Sequence, residues 1–197
     1  MFVQVIQGEV SDEDQAHEQF EWVRDLAPGA TGWLGSTAGV TDDGALVAMV
    51  RFDSAEHAEQ NRWWSETSRL FPSGAAFMNS TDVTVDVQGN PDKARFVQVI
   101  EGRVTDAQLG RRLSTENSDK WAEFRPDVLG SVEADFPDGA HAMELFFTSE
   151  ADAREGERKE PPAELKSQME QMEALNAEPP RFFDLKQPWT YSPPDLD

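Results

Sequence analysis

The sequence predicts an α+β fold built from two tandem βαββαβ repeats, packed sheet to sheet as a closed α+β barrel within one chain. Three observations carry this prediction. The stretch FVQVI at Phe2 returns at Phe96, with Gly8 matched by Gly102. After one inserted residue, further blocks follow in the same order: Leu34-Gly35-Ser36 with Leu129-Gly130-Ser131, Asp43-Gly44 with Asp138-Gly139, and Phe52 and Ser54 with Phe147 and Ser149. Each copy also carries the same succession of strand and helix signals, and a repeat of half the chain's length means two domains and not a solenoid. The repeats divide the 197 residues into 1–90 and 91–197, the second with an extended helical segment and an irregular tail.

Each repeat opens on FVQVI, whose β-branched residues and period-two alternation read as a strand. Ser11 and Thr105 stand where helix N-caps belong, and Asp12 and Asp106 place negative charge on the first turn. Polar helices follow from Asp12 to Leu26 and from Asp106 to Glu123, ended by Pro28-Gly29 and by Arg125-Pro126. Next come two hairpins. ATGWLGSTAGV and ALVAMVRF join through Asp42-Asp43-Gly44, and DVLGSVEADF and AHAMELFF join through Pro137-Asp138-Gly139. Asp-Gly between alternating runs is a hairpin signal because glycine accepts positive φ.

Ser54 and Ser149 cap a second helix, and a last strand closes each copy near AAFMNSTDVTVDV and RFFDLKQ. This order is the split βαβ, or ferredoxin-like, arrangement. Gly89-Asn90-Pro91-Asp92 is the short polar junction between the copies. In the second copy the helix after Ser149 is interrupted by Pro161-Pro162 and resumes as AELKSQMEQMEAL. Leu165, Met169, Met172 and Leu175 form an apolar stripe there, whose usual role is core packing. The tail from Trp189, with Pro193-Pro194, reads as an irregular end.

A single such sheet has helices on one face only, so its other face needs a cover, and the second copy can supply it. Fusion then does internally what pairing does for single-copy chains. A monomer is the simplest expectation, with self-association through other surfaces left open.

Composition excludes several function classes. Without cysteine there is no disulfide, thiolate zinc site, iron–sulfur cluster or cysteine nucleophile. A net charge of −21 repels a phosphate backbone, so neither nucleic acid nor an anionic membrane surface is an expected partner. No apolar run approaches a spanning helix and no secretory segment opens the chain, so a cytoplasmic location is expected. His17, His57 and His141 are far apart, no HxH or HExxH pattern occurs, and neither a metal nor a cofactor is expected.

The candidate ligand contacts come from strand alternation. Phe2, Gln4 and Ile6 share a face, as do Phe96, Gln98 and Ile100. If that face looks into the barrel, Gln4 and Gln98 form a pseudo-symmetric pair of amides that either bond each other, backbone or water, or orient a ligand. On the third strands, Arg51 and Glu144 are charges in apolar runs; they either form a salt bridge or mark a site. Trp63 and Trp64 stand together on the second helix of the first repeat. They pack in the core or border a pocket for a flat organic ligand.

With these residues in place, the chain resembles the dimeric α+β barrel superfamily in its fused form, and in particular the antibiotic-biosynthesis monooxygenase type. NRWWSETSRLF is similar to that family's second-helix pattern of asparagine, tryptophan, serine and phenylalanine. The resemblance implies Asn61 and Trp64 as catalytic positions, with Asn61 holding an oxygenated intermediate and Trp64 stacking on the ring of an aromatic or polyketide-like substrate. It implies oxidation by molecular oxygen without added cofactor. The haem-degrading relatives carry a histidine farther along that helix, but this chain has none between His57 and His141, so haem degradation is not expected. The tyrosine of some quinol-oxidising members has no counterpart, because Tyr191 in the tail is the only one. The second repeat keeps neither the asparagine nor the tryptophan, which places the expected active pocket in the first. The competing expectation is a non-catalytic ligand-binding or stress-associated protein with a filled barrel.

Overall fold

The computed structural model of the chain describes residues 1–26, 30–61 and 71–193. These fall into two compact units, one of Met1–Asp82 with Asp184–Asp197 and one of Val83–Phe183. The first contains β1 (Phe2–Glu9), α1 (Glu13–Leu26), β2 (Trp33–Val40), β3 (Ala45–Phe52), α2 (Ala55–Gln60) and β4 (Ala76–Asn79). The second contains β5 (Asp82–Val87), β6 (Phe96–Arg103), α3 (Ala107–Thr115), α4 (Ser118–Phe124), β7 (Val128–Asp135), β8 (Ala140–Phe147), α5 (Glu150–Glu157) and α6 (Ala163–Leu175). Two strands at the end, β9 (Arg181–Leu185) and β10 (Trp189–Tyr191), complete the order.

The sheets run β10-β2-β3-β1-β4 and β5-β7-β8-β6-β9. Without the strand at one edge, both have the ferredoxin-like order, so the chain is an α+β protein of two tandem ferredoxin-like repeats. The fifth strand of each sheet departs from the repeat boundary at 90. The last strand expected for the first repeat is two strands: β4 stays with β1, while β5 pairs beside β7. Ser80 marks the division, its Oγ accepting from the Val3 amide at 2.8 Å and its own amide donating to the Val3 carbonyl at 2.9 Å. The tail expected to be irregular instead forms β10 on β2, in register Trp189 with Ala38 and Tyr191 with Ser36. Trp189 explains this: it is 8% exposed and stacks on His17 at 4.7 Å, beside Phe20 of α1.

Two helix details also differ from expectation. The caps are Asp12 and Asp106, which accept from the Gln15 and Leu109 amides at 3.0 and 2.9 Å. A carboxylate both caps and complements the helix dipole, whereas the Thr105 hydroxyl is spent on the Leu175 carbonyl. The single helix expected to Glu123 is broken into α3 and α4 at Asn117, which has φ 59°. Ser54 and Ser149 cap α2 and α5 as expected.

The register assigns faces, because residues directly opposite in an antiparallel pair share one. Gln4 lies opposite Val50 and Ile6 opposite Ala48. These apolar neighbours pack with Ala16 and Phe20 of α1, so this is the helix-covered face of the first sheet. In the second, Phe96 and Phe147 are opposite each other and pack with Ala153 of α5, and Gln98 opposite Leu145 is on that same side.

Candidate functional site

The expected ligand contacts divide between sheet faces. Gln4 and Gln98 lie on the helix-covered faces. Arg51, opposite Val3, and Glu144, opposite Val99, take the other face of their own sheets. One residue of strand offset reverses the side, so Gln4 and Arg51 do not line a common space. The Gln4 amide donates to Asn79 Oδ1 at 2.9 Å, and Gln98 is buried. Arg51 donates to Thr37 Oγ1 at 3.2 Å and lies over Gly35, where φ is +133° and a Cβ would come within 2.7 Å of the guanidinium. Glu144 is fully buried.

Asn61 is the C-cap of α2, and its Nδ2 donates to the His57 carbonyl at 2.6 Å and to the Thr31 carbonyl at 3.1 Å. Its amide hydrogens are therefore both held, one by the end of α2 and one by the segment before β2. One turn back, His57 Nδ1 lies 2.6 Å from Asp53 Oδ1, and this hydrogen bond holds the Asp53 carboxyl below its ordinary range. Trp63 and Trp64 lie outside the described residues.

A ligand-sized cavity is found in the second unit, between its sheet and helices. It has a volume of about 270 Å³. Met143, Leu145 and Phe147 line it from β8, Trp121 from α4, and Met169 and Met172 from α6. Strand period two and helix period three to four bring these residues together. Within the stripe expected to be core, Leu165 is buried, while Met169 and Met172 face this space.

Two polar side chains in the cavity wall are already committed. Gln168 is 4% exposed. Its Nε2 donates to the carbonyls of Leu113 and Glu116, and its Oε1 accepts from Asn117 Nδ2 at 3.2 Å and Trp121 Nε1 at 3.1 Å. Two donor hydrogens and two lone pairs exhaust this amide, and all four partners lie around the break between α3 and α4 at Asn117. Arg125 clasps Asp127 through Nε and Nη2 at 3.0 and 2.7 Å, and its guanidinium lies 5.6 Å from the centre of the Phe147 ring.

The strand face continues beyond the apolar cavity into a polar end. On β7, Ser131, Glu133 and Asp135 lie opposite Leu145, Met143 and His141. Glu133 borders an adjoining space of about 170 Å³ and a smaller one of about 40 Å³. Burial pushes its carboxyl above the ordinary range, and nearby Asp135 pushes the same way. A Ser114 hydrogen bond and the charges of His141 and Arg111 oppose the shift. Arg111 Nε is 3.5 Å from Asp135 Oδ2. The alternation S-V-E-A-D in β7 was a legible sign of this polar face. No comparable signal marks Trp121, whose place depends on the Asn117 break.

No family model matches the chain, and no curated protein does. Solved structures match it over nearly its whole length. A candidate monooxygenase from Lactobacillus acidophilus superposes with a TM-score of 0.71 at 10% identity, covering 97% of this chain and 99% of the other. An anthrone oxidase-like protein gives 0.69 at 14% identity, with 98% and 93% covered. A Listeria monocytogenes ferredoxin-fold protein related to antibiotic biosynthesis monooxygenases gives 0.51 at 12% identity, with 97% and 94% covered. This chain shares their tandem ferredoxin-like fold. At these identities the likeness is one of fold, so chemistry has to be argued from the chain's own residues. No helix among the described residues is long and apolar enough to cross a membrane.

Proposed function

We propose that the chain is a small-molecule pocket protein that takes a flat aromatic ligand in its second unit, and that it is a monooxygenase acting without added cofactor. The observation that carries the reading is the cavity itself. Trp121 and Phe147 supply aromatic surfaces and Met143, Met169 and Met172 supply adaptable thioethers, while Asp86, Gln88, Ser114, Ser118 and Ser131 add polar groups to the same wall. Its volume lies just below the common range of about 300–1,000 Å³, which suits a small fused-ring compound. The likeness in fold to a candidate monooxygenase and to an anthrone oxidase-like protein supports the oxygenase part.

The reaction in this reading converts a ring methylene, activated by a neighbouring carbonyl, into a ketone. A proton leaves the carbon, the carbanion passes one electron to dioxygen, and the two radicals combine. The resulting peroxide loses water, so one methylene and one dioxygen become one ketone and one water. The alternative placement of the same chemistry is the first unit, where Asn61 and Trp64 are the proposed catalytic positions. A specific observation favours the non-catalytic alternative there: stabilising an oxyanion requires donors, and both Asn61 amide hydrogens are held by backbone carbonyls.

The test is oxygen uptake with a panel of hydroxylated anthrones and naphthols, in the absence of flavin, metal and haem. Uptake above spontaneous oxidation that is lost in Trp121→Ala supports a second-unit site, whereas loss in Trp64→Ala alone assigns the chemistry to the first unit. No uptake with any compound rejects the oxygenase reading and leaves ligand binding.

A further inference from the structure

The polar end of the second-unit cavity contains a buried carboxyl that none of the roles above uses. Glu133 is 9% exposed, yet it forms part of the wall of two spaces. The larger of these shares Asp86, Ser114, Ser118, Ser131 and Met143 with the apolar cavity, so the two adjoin along the strand face. Glu133 is two residues from Ser131 on β7, a step of about 7 Å along a strand. A ligand with its ring system against Trp121 and Met143 therefore extends toward this carboxyl.

We infer that Glu133 is the specificity-determining contact of this trough, donating a hydrogen bond from its carboxyl to an acceptor oxygen on a fused-ring ligand. The inference rests on the trough being the ligand site. It narrows the ligand class to apolar ring compounds with a ketone or quinone oxygen at one end, and it disfavours carboxylates, which would bring a second negative charge toward Asp135 and Asp86. Burial pushes the carboxyl above its ordinary range, toward the form that can donate, and Ser114 stands beside it as its polar neighbour. The other charged groups facing Glu133 are Asp135 on its own strand, His141 on β8, Arg111 on α3 and Asp86 on β5. Arg111 is drawn toward Asp135, 3.5 Å away.

The experiment uses 1-tetralone and tetralin, which share a ring skeleton and differ in one carbonyl, with binding to the full chain measured by calorimetry. The expected result is that 1-tetralone binds about tenfold more tightly than tetralin, roughly 1.4 kcal/mol. Glu133→Gln, which retains an N–H donor, should keep most of that preference, and Glu133→Leu should abolish it while tetralin binding persists. In the wild type the preference should decline as pH rises through the raised Glu133 range, and this decline should be absent in Glu133→Gln. Tetralin binding with no carbonyl preference, or a preference that survives Glu133→Leu, overturns the Glu133 assignment alone. If neither compound binds, the trough reading fails and this inference fails with it.

Discussion

Replacing Gln168 by leucine tests the most connected polar group in the second unit. The substitution nearly conserves volume but removes four hydrogen bonds, two to carbonyls at the end of α3 and two from Asn117 and Trp121. The bond to the Leu113 carbonyl is buried, and its loss leaves that oxygen only the 3.3 Å bond from the Glu116 amide, at about 0.5–1.5 kcal/mol. The other three are partly buried and can be replaced in part by water, at about 0.5–1 kcal/mol each. The expected loss is about 2–4.5 kcal/mol, less about 1 kcal/mol recovered from burying an apolar side chain. Urea unfolding followed by tryptophan fluorescence measures it, and Gln168→Glu, which keeps the acceptor but sets a buried carboxylate against the two carbonyls, should lose at least as much as leucine. A loss under about 1 kcal/mol would refute the view that this amide holds the break between α3 and α4.

Trp189→Ala should destabilise the first unit by about 3–5 kcal/mol, the usual cost of truncating a buried tryptophan, and should release β10 from β2; faster amide exchange at Ala38 in the variant would confirm this, and unchanged exchange would contradict it. Asn61→Ala should cost about 1–2 kcal/mol by removing its bonds to Thr31 and His57, and turnover per folded molecule should be unchanged if capping is its only role. His57→Gln should raise the Asp53 pKa toward its ordinary value in a carbon-detected titration. Because the folded-state value is depressed, the contribution of this pair is present above the ordinary carboxylate pKa and fades as pH falls through the lowered one, and the variant should lack that acid-side loss.

The two FVQVI strands, the hairpins at Asp43-Gly44 and Asp138-Gly139, and the Ser54 and Ser149 caps were all legible because each depends on residues close in sequence. So was the tandem ferredoxin-like order, since its signals occur twice in the same succession. Strand-face assignment was legible only as alternation. Whether Gln4 or Arg51 faces the helices is decided by which neighbour lies across the ladder, and the register of β1 on β3 settles that by one residue. The division of the strand at Ser80, the recruitment of Trp189 as an edge strand and the break at Asn117 all rest on partners far away in the chain: Val3, His17 and Gln168 respectively. The candidate site has the same character. Trp121, Met143 and Met172 have no local pattern in common, and the cavity they line exists only once α4, β8 and α6 have packed. Local periodicity determined the elements of this protein, while long-range hydrogen bonding and burial decided where a buried carboxyl whose pKa is raised, Glu133, would meet an apolar pocket.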